Sequence, residues 1–128
     1  MTLVENIIMA EVMKLGDSKQ VFIGGFSQGC AVAMATWMHF GAELGGVWGS
    51  SGAWCSVVDW SKIDIASKKK TPITLYHGAA DDLITLEMAQ ISQAFLKTKG
   101  IDHFQDIAEE GLGHSFSGQQ VMLLKMFF

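Results

Sequence analysis

Apolar positions along the chain follow two patterns. Leu3, Ile7, Ile8, Val12 and Leu15 recur at three- and four-residue spacing and lie on one stripe of a helix. Thr2-Leu3-Val4-Glu5 has the form of a capping box, with Thr2 as N-cap and Glu5 reaching back, and Gly16 is a natural stop. Elsewhere apolar residues run continuously between turn signals, which predicts buried strands: "QVFIGGF", "LGGVWGSSG" (Leu44–Gly52), "PITLYHG" (Pro72–Gly78) and a weaker fourth, "DHFQDIAEE". Pro72 stands at a strand start, where a missing N–H is tolerated. Between the strands the sequence predicts an apolar helix over Gln28–Phe40 closed by Gly41, and a helix over Leu86–Lys99 capped by Thr85 and ended by Gly100. Ser117-x-x-Gln120 caps a last helix that runs into Phe128, and Ala53–Thr71 reads as a loop. This near-alternation of strand and helix predicts an α/β fold of about four mainly parallel strands with helices on both faces, in one domain over residues 1–128.

Composition narrows the function classes. Hydrophobic residues make up 49% of the 128 positions and charged residues 17%, too apolar for a disordered chain. Eight Met, eight Phe and four Trp imply a deep core or a surface that expects covering. The net charge is −4, and the only basic run, Lys68–Lys70, reads as a solvated loop, so no nucleic-acid footprint is present. Two cysteines, Cys30 and Cys55, are too few for a disulfide scaffold and read as free thiols of a reducing compartment. The N-terminus lacks a basic region before its apolar residues and does not read as a signal peptide. The longest apolar stretch, near Cys30–Phe40, is too short to be a transmembrane segment. A soluble, cytoplasmic protein is expected.

The chemistry centres on Gly25-Phe26-Ser27-Gln28-Gly29. The G-x-S-x-G pattern is weak alone, but here a strand enters it and a helix leaves it, the context of a nucleophile elbow. The two glycines are expected to remove Cβ atoms that would clash in so tight a turn. Such a serine stands above the carboxyl ends of the strands, where α/β folds bind ligands. A serine hydroxyl needs a base, and the base an orienting acid. Asp81 and Asp82 follow the third strand and both are candidates for the acid. Of the four histidines, His39 ends a helix, His77 lies on a strand as a packing residue and His103 starts a strand. Only His114, in the glycine-flanked loop after the fourth strand, is placed to reach Ser27.

"GGFSQGCAVAM", "HGAADDLITLEMA" and "GLGHS" resemble the acyl-protein thioesterase/carboxylesterase group of α/β-hydrolases, and the likeness extends over nearly the whole chain. It implies Ser27 as nucleophile, His114 as base and Asp81 as acid, with Asp82 standing where the family has proline. It also implies the backbone N–H of Gln28 as an oxyanion donor, and no metal or cofactor. Trp48, Trp54, Leu83 and Met88 are implied as acyl-site neighbours, Trp54 and Leu83 foremost, with core packing the other reading of the aromatic and Met positions. "DDLIT" replaces the family's "DPLVP", and Cys30 replaces a small residue. The family's first strands and the loop bearing a second oxyanion donor have no counterpart here; one donor fewer costs roughly 3 kcal/mol of transition-state stabilisation. The strand before Ser27 then becomes an apolar edge, which implies either a fragment of a longer protein or a homodimer or larger assembly covering Val21–Phe26. Two functions are therefore expected: a serine hydrolase of acyl esters or thioesters, or a non-catalytic or residually active subunit or fragment within a larger assembly.

Overall fold

The computed structural model describes residues 2–54 and 58–128, which leaves Cys55 outside the described residues. Elements follow in the order α1 (Leu3–Leu15), β1 (Phe22–Phe26), α2 (Gln28–His39), β2 (Gly46–Ser50), α3 (Ile65–Lys68), β3 (Ile73–Gly78), α4 (Leu86–Thr98), β4 (Gln105–Glu109) and α5 (Gly118–Phe127). The four strands form one parallel sheet in the order β1-β2-β3-β4. All four strands the sequence predicts are present. The stretch read as a loop holds a short 3-10 turn at Trp60–Lys62 and the single helical turn of α3.

Burial explains the strand patterns. β2 and β3 are buried on both faces, as their continuous apolar runs require, whereas β1 and β4 are the sheet's two edges and stay partly exposed. On one face Val47, Ile73 and Leu75 join Cys30, Met34, Trp37 and Leu96 in the main core, with Ile8 of α1 packed among them. The opposite face is covered by α5: Trp48 meets Phe127 edge-on at 5.5 Å and stacks on Tyr76 at 6.1 Å. Helices thus lie on both faces, with α5 as the cover of the second.

The N-caps fall where the sequence predicts at three helices, without the reciprocal side-chain bonds of a capping box among the described residues. Thr2, Thr85 and Ser117 each accept a backbone N–H from the third residue beyond. Gly16 adopts φ 79, the left-handed conformation that glycine allows. α2 ends differently: Phe40, extended at φ −73 and ψ 133, is its C-cap, and Gly41 takes no left-handed turn. Lys68 serves this end instead. Far from lying in a solvated run, this residue is 3% exposed, and its Nζ donates to the carbonyls of Trp37 (2.7 Å) and Phe40 (2.6 Å). A cation here satisfies the last turn of α2 and opposes the negative end of its dipole. Burial pulls the ammonium pKa down to about 8, against the raising effect of Asp64. Lys69 and Lys70 remain exposed as expected.

Candidate active site

The strand register brings the functional loops to one edge. Phe26 pairs with Ser50, Ser50 with Tyr76, and Gly78 with Glu109, so the carboxyl ends of all four strands line up. Ser27 leaves β1 there, Asp81 follows β3 and His114 follows β4.

Ser27 is the turn between β1 and α2. Its backbone sits at φ 59 and ψ −119, and its N–H donates to Ser50 O at 2.8 Å. Although it occupies the N-cap position, its side chain makes no capping bond, so Oγ is left for another partner. Gly25 is required by this turn: a Cβ there would lie 1.9 Å from Gly29 O. The second glycine of the motif is not needed in that way. A Cβ on Gly29 would meet nothing within 4 Å, so the expectation that both glycines relieve clashes holds only for Gly25.

The partner of Oγ is His114, whose Nε2 lies 2.9 Å away. His114 Nδ1 lies 2.8 Å from Asp81 Oδ2. A carboxylate held against Nδ1 fixes the proton on that nitrogen and leaves Nε2 as the acceptor for the serine hydroxyl. Asp81 is anchored in turn. Its Oδ1 accepts the backbone N–H groups of Leu83 and Ile84, both at 3.0 Å. Asp82, the competing acid, points to solvent. Burial pushes the Asp81 carboxyl up, but the hydrogen bond from His114 and those from Ile84 and Leu83 outweigh it, and its pKa falls below the ordinary 3.8. A depressed carboxyl adds stability that is present above 3.8 and lost as pH falls through its lower folded value. The urea midpoints of the native chain and Asp81→Asn should therefore differ most near neutrality and converge below pH 3.8. A gap that stays constant into acid would show that the Asp81 charge adds nothing.

The remaining histidines are committed to the backbone. His39 Nδ1 donates to Ala35 O (2.7 Å) and Nε2 accepts from Asp59 N (3.2 Å), while His103 Nε2 donates to Thr71 O (2.7 Å). His77 does more than pack. Its buried Nε2 donates to Ile84 O at 2.6 Å and lies 3.5 Å from Asp81 Oδ2, bracing the turn that holds the acid. Its spacing of four residues from Asp81 was the only trace of this in the sequence.

The His114 loop is seated on Gly78, where a Cβ would lie 2.3 Å from Leu112 O and 2.5 Å from Gly113 O. Phe26 packs beside His114, with ring centres 5.0 Å apart, and Phe116 lies 6.4 Å beyond Phe26. The two residues expected beside the substrate, Leu83 and Trp54, fall in different places. Leu83 is 66% exposed beside Asp81. Trp54 is 2% exposed and belongs to the core; with Cys30, Gly52 and His77 it encloses a cavity of about 10 Å³, room for about one water and no acyl chain. Trp48 is likewise buried, while Met88 is partly open. Burial also raises the Cys30 thiol to about 12, which makes it inert as a nucleophile. Among the described residues no group of His, Cys, Asp and Glu could hold a metal ion, and no helix is long and apolar enough to cross a membrane.

A strand-elbow-helix serine at the carboxyl edge of a parallel sheet, hydrogen-bonded through a histidine to an acid, is the arrangement of the α/β-hydrolases. Residues 1–128 match the phospholipase/carboxylesterase family, and the chain belongs to it. It is 34% identical over 122 residues to acyl-protein thioesterase 1 of Yarrowia lipolytica, covering 91% of this chain and 52% of that protein. It is 33% identical over 124 residues to the Arabidopsis thaliana carboxylesterase SOBER1, covering 95% of this chain and 53% of that one. The crystal structure of SOBER1 superposes with a TM-score of 0.86 at 32% identity, over 97% of this chain and 59% of that one. The chain thus spans about half the length of the curated relatives it matches.

Proposed function

We propose that this chain is a serine hydrolase that cleaves carboxylic esters or thioesters of acyl groups without a metal or cofactor. The observation that carries the reading is the unbroken set of contacts from Asp81 to His114 (2.8 Å) and from His114 to Ser27 (2.9 Å). Ser27 Oγ attacks the acyl carbonyl while its proton passes to His114 Nε2. Asp81 holds Nδ1 and stabilises the imidazolium. The backbone N–H of Gln28, at the N-terminus of α2, donates to the oxyanion. Collapse of the intermediate expels the alcohol or thiol, which takes the proton from His114. Water then repeats the sequence on the acyl-serine and frees the acid. Leu83, exposed beside Asp81, supplies an apolar contact for the acyl group; Trp54 supports the site from the core. The setting is cytoplasmic, where the unpaired Cys30 thiol stays reduced.

A second reading, a non-catalytic or residually active hydrolase-like subunit or fragment within a larger assembly, is favoured by β1. This apolar strand is a sheet edge, with Phe22 37% and Phe26 36% exposed. A groove of about 310 Å³ runs beside it, lined in part by Gly24, Phe26, Phe116 and Phe128. A homodimer or larger assembly covering Val21–Phe26 fits that edge. One experiment tests both readings: fluorophosphonate labelling of the purified chain, with peptide mapping of each species separated by sedimentation. Label on Ser27 is expected, concentrated in the dimer or larger species. Folded protein that takes no label at Ser27 would refute the hydrolase, and label confined to monomer would refute the need for a covered edge.

A further inference from the structure

The loop that carries His114 begins at Glu109 and ends at Ser117, and one carboxylate oxygen ties the two ends together. Glu109 Oε1 accepts a hydrogen bond from Ser117 Oγ at 2.5 Å and a second, short one from the hydroxyl of Tyr76. Tyr76 is an anchor rather than a mobile contact: it lies on the fully buried strand β3, 1% exposed, stacked on Trp48. Ser117 continues the chain of bonds. Its Oγ accepts from Gln120 N at 3.0 Å, and the Gln120 side chain does not close the capping box but enters the core. There its Oε1 accepts from Trp48 Nε1 (3.1 Å) and from Ser50 Oγ. Ser50 is the residue whose carbonyl receives the N–H of Ser27. A single hydrogen-bonded path therefore runs from the elbow of Ser27 to both ends of the His114 loop.

We infer that Glu109 is a positioning residue, whose carboxylate clamps the His114 loop to Tyr76 and Ser117 and so sets the distance from His114 Nε2 to Ser27 Oγ. The inference rests on the triad reading of Ser27, His114 and Asp81. Glu109 touches none of those three side chains by a hydrogen bond; its backbone oxygen accepts from Ala79 N (2.8 Å), which joins β4 to the turn leading to Asp81. A carboxylate suits the task because it accepts from two hydroxyls at once with charge-assisted bonds. The hydrogen bonds from Ser117 and Tyr76 also hold its pKa below the ordinary 4.5, which favours the charged form that accepts both.

The test compares Glu109→Ala, Glu109→Gln and Tyr76→Phe in the full chain, each below its own unfolding temperature. The readouts are the rate of fluorophosphonate labelling at Ser27 and the downfield NMR signal of the His114 Nδ1 proton. A misplacement near 1 Å costs about a hundredfold in rate, so Glu109→Ala should label roughly ten- to a hundredfold more slowly and lose the Nδ1 proton signal. Glu109→Gln keeps one acceptor oxygen and should recover most of both. Tyr76→Phe keeps the packing and removes one donor; it should weaken the signal, and it carries the test if Glu109→Ala does not fold. An unchanged rate and signal in the alanine and phenylalanine variants would overturn the clamp. Failure of the native chain to label would overturn the triad reading instead, with the NMR signal still deciding the clamp.

Discussion

Under the proposed hydrolase mechanism, replacing His114 with alanine should slow ester hydrolysis by about ten-thousand-fold or more, measured on a short activated ester, and abolish fluorophosphonate labelling of Ser27. The magnitude follows from what the imidazole does. Ser27 Oγ makes no capping bond, and its one ring partner is His114 Nε2. Without that acceptor the hydroxyl keeps its proton and attacks no carbonyl at neutral pH. In the proposed triad the three groups act as a unit, so adding Asp81→Asn to His114→Ala should cost little more. The ring donates to a fully buried carboxylate, so its loss should also lower the unfolding midpoint, at a cost of about 1–3 kcal/mol. Undiminished labelling in the His114→Ala chain would mean that Ser27 is activated by some other group.

Gly25→Ala should be the most damaging single methyl group in the molecule. The added Cβ would lie 1.9 Å from Gly29 O, 2.2 Å from Gly29 C and 2.7 Å from Cys30 N, all backbone atoms. No side chain can swing away to make room, so the β1-to-α2 turn must open. A loss above about 3 kcal/mol in urea unfolding is expected, together with loss of Ser27 labelling. Gly29→Ala is the matched control. It meets nothing within 4 Å and lies in the first turn of α2, where alanine is the better helix former, so it should be neutral or stabilising by up to about 1 kcal/mol. Equal destabilisation by the two would remove the steric account of the elbow.

The features visible in the sequence are those written in short-range pattern. Apolar runs marked the strands because β2 and β3 are buried on both faces, and three N-caps could be read because a cap lies within three residues of its partner. The elbow was legible for the same reason. The acid was less so: nothing local separates Asp81 from Asp82 until the chain is folded and only Asp81 is found receiving two backbone N–H groups. Long-range partners were hidden altogether. Lys68 reaches carbonyls 28 and 31 residues away, so it looked like one of three solvated lysines. Gln120 meets Ser50 across 70 positions, so it looked like the second half of a capping box. Trp54 carries no local sign of whether it lines a site or fills a core, and Ser92 Oγ, which accepts its N–H from 38 positions away, belongs to α4.

The backbone of Ser27 has one more meaning. A side chain at φ 59 is held where only glycine is comfortable, at a cost on the order of 1–3 kcal/mol. Glycine at this position would relieve that cost and leave the sheet and helix as they are. The fold therefore carries a standing pressure to discard its own hydroxyl, and any lineage in which the chain served only as scaffold would gain stability by letting it go. The serine, aimed at an imidazole, is where this protein forgoes stability for the geometry that the proposed nucleophile depends on.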